Sequence, residues 1–145
     1  MNNITIRIMT LADYEVIHAL WSKTPGVGQN PVNDSKEGIE KYLVRNPSTC
    51  FVAEKNGAIA GAILGGHDGR RGTICRLAVD EQEKRQGIGG ALVKAALAAL
   101  HDEGINKVWL VAFADNAQGN AFWEKRGFGR RDDLNYYDIV LLPDE

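Results

Sequence analysis

Val79-Asp80-Glu81-Gln82-Glu83-Lys84-Arg85-Gln86-Gly87-Ile88-Gly89-Gly90-Ala91-Leu92 joins an apolar, strand-like run directly to an amphipathic, helix-like one. Gly87, Gly89 and Gly90 carry no Cβ, so the backbone there can turn sharply and let a bulky anion approach its amides. The N–H groups of a first helical turn have no partner within the helix, and the helix dipole adds positive potential, which suits a pyrophosphate. Lys84 and Arg85 add charge beside that cradle. The simpler alternative is a strand-to-helix turn whose glycines serve close packing alone.

Other glycine signatures fit less well. A mononucleotide loop needs Gly-Lys-Ser/Thr after its glycines, and a dinucleotide fingerprint needs a third glycine where Leu92 stands. Downstream, Leu92, Val93, Ala96, Leu97 and Leu100 recur at helical spacing from Gly89 to His101, and Gly104 ends that helix. Lys107–Phe113 reads as an apolar strand. Asn116 can cap a helix running to Arg126, with Gly127 at its exit. Phe128–Arg130 and Tyr136–Leu142 read as closing strands.

Upstream, Ile4–Ile8 alternates as a half-buried strand. Thr10 with Asp13 caps a helix from about Leu11 to Trp21, and Asp34 with Glu37 opens a second that ends near Arg45. Between them, Lys23–Asn33 has the Pro/Gly composition of a loop, and this stretch suits either a substrate lid or a surface connection. Cys50–Ala53 and Ile59–Leu64 read as a hairpin about Asn56-Gly57. Gly65–Gly72 reads as a second turn region, and Thr73–Val79 completes a three-stranded meander before the glycine turn.

A chain of 145 residues supports one well-filled core, so a single domain over residues 1–145 is expected. With 44% hydrophobic and 25% charged residues the composition is that of an ordinary globular protein. A formal net charge of -2 provides no broad positive field for nucleic acid. The start MNNITIRIM lacks the apolar core of a secretory signal, and no apolar run approaches the roughly 20 residues of a membrane helix, so no membrane partner and a cytoplasmic address are expected. Cys50 and Cys75 are expected as free, small buried hydrophobes, and with His18, His67 and His101 scattered, no ligand spacing implies a metal.

With these features in place, the sequence resembles the GCN5-related N-acetyltransferase (GNAT) superfamily. Its signature Gln/Arg-x-x-Gly-x-Gly/Ala is matched by Lys84-Arg85-Gln86-Gly87-Ile88-Gly89, with Lys84 in place of the first residue. Asn116, Gly119, Phe122, Trp123 and Gly127-Phe128 are similar to the family's N-x-x-A-x-x-F-Y…G-F region. The resemblance implies an α/β fold with a mixed, mainly antiparallel sheet of about seven strands, about four helices and splayed central strands. It implies acetyl-CoA as the donor cosubstrate, no metal, and an amine acceptor on a small molecule or peptide. Pantetheine would lie against Leu77, Ala78 and Val79, and the diphosphate against Lys84, Arg85, Gln86, Gly87, Ile88, Gly89 and Gly90. Asn116, Asn120 and Trp123 would line the same arm. Asn116 also has the alternative role of a helix cap.

Catalytic groups are harder to assign. Related enzymes commonly carry a tyrosine where this chain has Trp123, and an indole N–H is no acid. Tyr136 is the leading substitute, with Tyr137 or water as alternatives. Thr73 and Val111 stand where the family often has a glutamate, so a water chain is the expected base, with His67 and Asp68 as further candidates. A non-catalytic acyl-CoA-binding module, or transfer of another acyl group, are the alternative functions. Lys23–Arg45, Gly65–Gly72 and Arg131–Tyr137 are the expected acceptor-facing segments. A homodimer is a plausible assembly, since cyclic dimers are common among small enzymes, although no segment of the sequence specifies an interface.

Overall fold

The computed structural model describes residues 3–24 and 32–141, so part of the expected lid segment and Leu142 lie outside the described residues. The chain divides into two compact units, Met1–Val111 and Ala112–Glu145. In the first, β1 (Ile4–Ile8) leads through a 3-10 turn at Leu11–Asp13 into α1 (Tyr14–Lys23), then α2 (Lys36–Arg45), β2 (Phe51–Lys55), β3 (Ala58–His67) and β4 (Gly72–Val79). A 3-10 turn at Glu81–Glu83 precedes α3 (Ile88–Asp102), and β5 (Val108–Trp109) follows. The sheet order is β1-β2-β3-β4-β5, antiparallel as far as β4 and parallel between β4 and β5. A mixed α/β sheet is therefore present, with α3 as the crossover that a parallel pair requires.

Both sheet faces are covered. On one, Val52, Ala62, Leu64 and Ala78 pack with Met9, Tyr14, Ile17, Leu20, Trp21, Ile39 and Cys50. On the other lies α3, and β3 admits it through glycine: a Cβ on Gly61 would sit 3.1 Å from both Ile88 Cγ2 and Leu92 Cδ1. Gly65 and Gly66 are hemmed in as well, but by other neighbours. A Cβ on Gly65 would meet the Thr49 carbonyl at 2.8 Å, and one on Gly66 would collide with the Tyr42 hydroxyl. These glycines are close-approach positions inside a strand, so β3 runs on to His67 where the sequence suggested a turn beginning at Gly65. The pairing of β3 with β4 slips at Leu64/Gly65, which face Arg76 and Ile74 and leave Cys75 as the extra residue of a bulge. Cys75 is consequently exposed rather than buried, whereas burial pushes the Cys50 thiol up to about 12.

The helix starts show which competing polar residue wins. Asp13 accepts from the Thr10 amide at 2.9 Å, as the capping pattern suggested, and Arg7 of β1 grips the same carboxylate at 2.8 and 2.9 Å. That guanidinium holds the Asp13 carboxyl below its ordinary range. At α2 the cap is Ser35, whose hydroxyl accepts from the Gly38 amide at 3.0 Å, and not Asp34. Asp34 is buried and paired with Arg76 of β4, and its carbonyl accepts from the Tyr14 hydroxyl at 2.7 Å. The Arg76 guanidinium carbon lies 5.7 Å from the centre of the Trp21 ring, and a cation in such a place needs a carboxylate beside it.

Among the described residues the sheet has five strands, where about seven were expected. Of the expected strand Lys107–Phe113, Val108–Trp109 alone is paired. In the second unit α4 (Ala117–Lys125) forms as the sequence suggested, but residues 128–141 contain no strand. A strand exists by sharing hydrogen bonds with a neighbour, and the described residues of this unit form no ladder. Tyr136, Tyr137, Ile139 and Val140 are accordingly exposed.

Two outcomes are expected. Leu92 is fully buried beneath β3, and Leu92→Ala should lower the unfolding free energy by about 2–5 kcal/mol in urea titration. Because the Asp13 pKa is depressed on folding, its contribution is complete above the unfolded carboxyl value of about 4 and is lost as pH falls through the folded value. Asp13→Asn should remove that part of the acid-side fall when unfolding is followed by circular dichroism below that pH.

Candidate functional site: the turn between β4 and α3

The turn is built in short steps from the end of β4. The Asp80 amide donates to the Ala60 carbonyl at 2.8 Å, and Asp80 then organises the 3-10 turn through its carbonyl to the Glu83 amide and its carboxylate to the Gln82 amide. Lys84 is extended. Arg85 then adopts a left-handed conformation at φ 68°, Gly87 follows at φ 81°, and the first helical bond runs from the Ala91 amide to the Gly87 carbonyl at 2.9 Å. Among the described residues, the amides of Arg85, Gln86, Gly87, Ile88, Gly89 and Gly90 have no acceptor. Six consecutive donors at the positive end of a 15-residue helix form a site for an anion.

Beside the turn the sheet opens. β5 pairs with β4 at Gly72 and Thr73 and not beyond, so Ile74–Val79 has β3 as its sole neighbour among the described residues. The direction of the free groups follows from one bond. Asp80 bonds to Ala60, and backbone groups alternate sides along an antiparallel strand, so Ala78 faces β3 while Leu77 and Val79 turn their N–H and C=O groups toward the open edge. Ala78 contributes a buried side chain to the core rather than main-chain groups to that edge. At the same end of β4 a shallow depression is lined by Leu20, Lys23, Thr24, Val79, Asp80 and Glu81.

The model of the acetyltransferase (GNAT) family matches residues 14–128. The chain belongs to that family. An acetyltransferase of Pectobacterium atrosepticum is 34% identical over 120 residues, covering 83% of this chain and 84% of that protein. Among solved structures, Ard1 from Thermoplasma volcanium superposes with a TM-score of 0.77 at 25% identity, covering 87% of this chain and 82% of that one. The PaiA N-acetyltransferase from Thermoplasma acidophilum, solved in complex with coenzyme A, has the same fold at a TM-score of 0.75 and 23% identity, covering 90% of this chain and 92% of that one.

Against the family frame the expected residues fall into three groups. Leu77, Val79 and the run Lys84–Gly90 come together around the open edge and the turn, with Lys84 3.3 Å from Glu81 and Arg85 exposed. His67 and Asp68 lie elsewhere. His67 pairs with Gly72, so they sit at the opposite end of β4 from Val79, about 23 Å away at the rise of a strand. His67 lies 3.4 Å from Glu103, and Asp68 caps its own turn through the amides of Arg70 and Arg71, which hold its carboxyl below the usual range. The Gly65–Gly72 stretch shares that distant position.

The third group lies in the second unit. Asn116 accepts from the Gly119 amide at 3.0 Å as the cap of α4, and the Asn120 side chain donates to the carbonyls of Phe113 and Asn116. Trp123 stands edge-on between Phe122 and Phe128, with ring centres 4.9 and 5.4 Å away. Tyr136 is exposed, and Asp138 raises its phenol above the ordinary value, which keeps it protonated at neutral pH. Among the described residues no group of three or more His, Cys, Asp or Glu gathers as a metal site would require.

Lys55 is a neighbour of the turn that sequence reasoning missed. Its ammonium donates to Glu83 at 2.7 Å and to Gln86 at 2.9 Å across 28 and 31 residues of chain. No local pattern announces it, because a lysine before an Asn-Gly turn reads as an ordinary strand end.

The unpaired donors have a direct readout. In the protein without ligand, amides 85–90 should exchange with deuterium at near-coil rates, while amides from Ala91 onward are protected, as followed by NMR. Protection within the turn would show that an internal acceptor fills it.

Proposed function

We propose that the chain is an N-acetyltransferase that moves an acetyl group directly from acetyl-CoA to a primary amine of a small molecule or peptide within a ternary complex. The observation that carries this reading is the row of unpaired amides from Arg85 to Gly90, adjoining the open edge of β4. The diphosphate of the donor is read onto those amides, and its pantetheine arm onto the outward main-chain groups of Leu77 and Val79. Asn116, Asn120 and Trp123 are carried over as further contacts to the arm. The family match from 14 to 128 supports treating residues 1–145 as one N-acetyltransferase domain.

In this reading the amine nitrogen attacks the thioester carbonyl, the carbon–sulfur bond breaks, and coenzyme A leaves as thiolate. The developing oxyanion is assigned to the Val79 amide, and water is assigned as the route by which the amine loses its proton. Holding both reactants together supplies much of the acceleration through orientation. Asp80, Glu81 and Lys23 border the depression beside Val79, which is read as the place where the acceptor approaches. A cytoplasmic address belongs to the same reading, and no helix among the described residues is long and apolar enough to cross a membrane.

Trp123 favours one competing reading, a coenzyme A-binding module without catalysis, because it removes the usual proton donor. Thiol release from acetyl-CoA across a panel of amines, with acetylated products identified by mass spectrometry, separates the two. Amine-dependent release is expected. Binding of acetyl-CoA with no release across the panel would favour the module. Gly87→Val should weaken coenzyme A binding about 5- to 30-fold in calorimetry, since a β-branched residue at φ 81° costs on the order of 1–2 kcal/mol.

A further inference from the structure

The turn presents a mechanical difficulty. Its six free amides contribute nothing to holding its own shape, and Arg85 is a non-glycine residue in the left-handed region at φ 68°, a conformation that costs free energy unless neighbours fix it. Ala91 closes the helical side, and Asp80 closes the strand side as far as Glu83. The interval from Glu83 to Gln86 is left to side chains.

Lys55 bridges that interval. Its ammonium bonds Glu83 Oε1 at 2.7 Å and Gln86 Oε1 at 2.9 Å, while Gln86 Nε2 donates to the same Glu83 oxygen at 2.9 Å. The two residues so joined flank Lys84 and Arg85. Lys55 is itself anchored, since it ends β2 and is paired with Ile4 on one side and Ala58 on the other. The Lys55 and Glu83 side chains are 26% and 29% exposed, partly withdrawn from the water that would otherwise screen them.

We propose that Lys55 is a positioning residue for donor binding: through Glu83 and Gln86 it ties the turn to the sheet and aims the free amides before the anion arrives. Preorganisation of this kind is felt in binding, because the complex then need not order the loop. Lys55 touches side chains of the turn, so it acts on donor affinity and leaves the chemical step alone. The inference rests on the reading of the turn as the coenzyme A site.

A charge-only role for Lys55 makes a different forecast, and the sign of one variant separates them. If Lys55 merely attracts the diphosphate, removing the neighbouring Glu83 carboxylate tightens coenzyme A binding. If Lys55 acts as a brace, Glu83→Ala weakens binding as Lys55→Met does. The experiment is calorimetric titration of coenzyme A into wild type, Lys55→Met, Glu83→Ala, the double variant and Lys55→Arg, with thermal melts verifying that each is folded. Weakening of about three- to tenfold is expected for either single variant, with the double variant no worse than Lys55→Met and with recovery in Lys55→Arg. Where an accepting amine has been found, the KM for acetyl-CoA should rise with kcat within twofold. If wild type binds coenzyme A and either single variant binds as well or better, the brace is overturned while the reading of the turn stands. If folded wild type binds no coenzyme A, that reading fails and the proposal with it.

Discussion

A strand inside a sheet ordinarily divides its amides and carbonyls between two neighbours, and among the described residues β4 has two at Gly72 and Thr73 but one thereafter. From that point half of its main-chain bonding capacity faces a gap. The gap ends where the strand gives way to a helix whose own first amides are also unmatched, so two kinds of unsatisfied backbone meet at Val79–Gly90. Such groups are ordinarily paired when buried and tolerated when a ligand or water can reach them. Gly61 of β3, which lets α3 lie close, and the Asp80 turn help bring those donors together.

Much of this arrangement could be read from residue order, and particular residues show why. Ile4–Ile8 alternates cleanly and forms β1 at the expected boundaries, and Asn56-Gly57 turns with φ 54° and 83° as its chemistry demands. Gly87 to Leu100 combined a helix-start signal with unbroken apolar spacing, so both the turn and α3 were legible. The failures have a common cause. Gly65 and Gly66 look like turn glycines in one dimension, and what makes them strand glycines is the Thr49 carbonyl and the Tyr42 hydroxyl, brought there from elsewhere in the chain. Asp34 reads as the cap of α2 in one dimension, but an arginine more than forty residues away claims its carboxylate and the cap falls to Ser35.

The candidate site divides in the same way. The amide cradle was legible because it is local, whereas the chemistry assigned to side chains was not. His67 and Asp68 were attractive as titratable residues in a turn, but antiparallel pairing with Gly72 carries them to the wrong end of β4. Asn116 shows that two readings of one residue need not compete, since capping α4 occupies one lone-pair direction of its carbonyl oxygen and leaves its amide group out of that bond. Phe128–Arg130 and the described part of Tyr136–Leu142 carry strand-like residues but form no strand, because no neighbouring backbone among the described residues receives them.

Gly66 has a consequence for how this sequence can change. The Tyr42 hydroxyl occupies the volume that a Cβ at position 66 would need, with the Asn46 amide close behind at 2.8 Å. Asn46 also accepts the His67 amide at 3.0 Å, so the α2 terminus and the end of β3 interlock at one point. A side chain at 66 is admissible only once both Tyr42 and Asn46 have given way, so shrinking them first passes through a void and enlarging 66 first meets a collision. Positions 42, 46 and 66 are therefore expected to drift together in descendants of this chain.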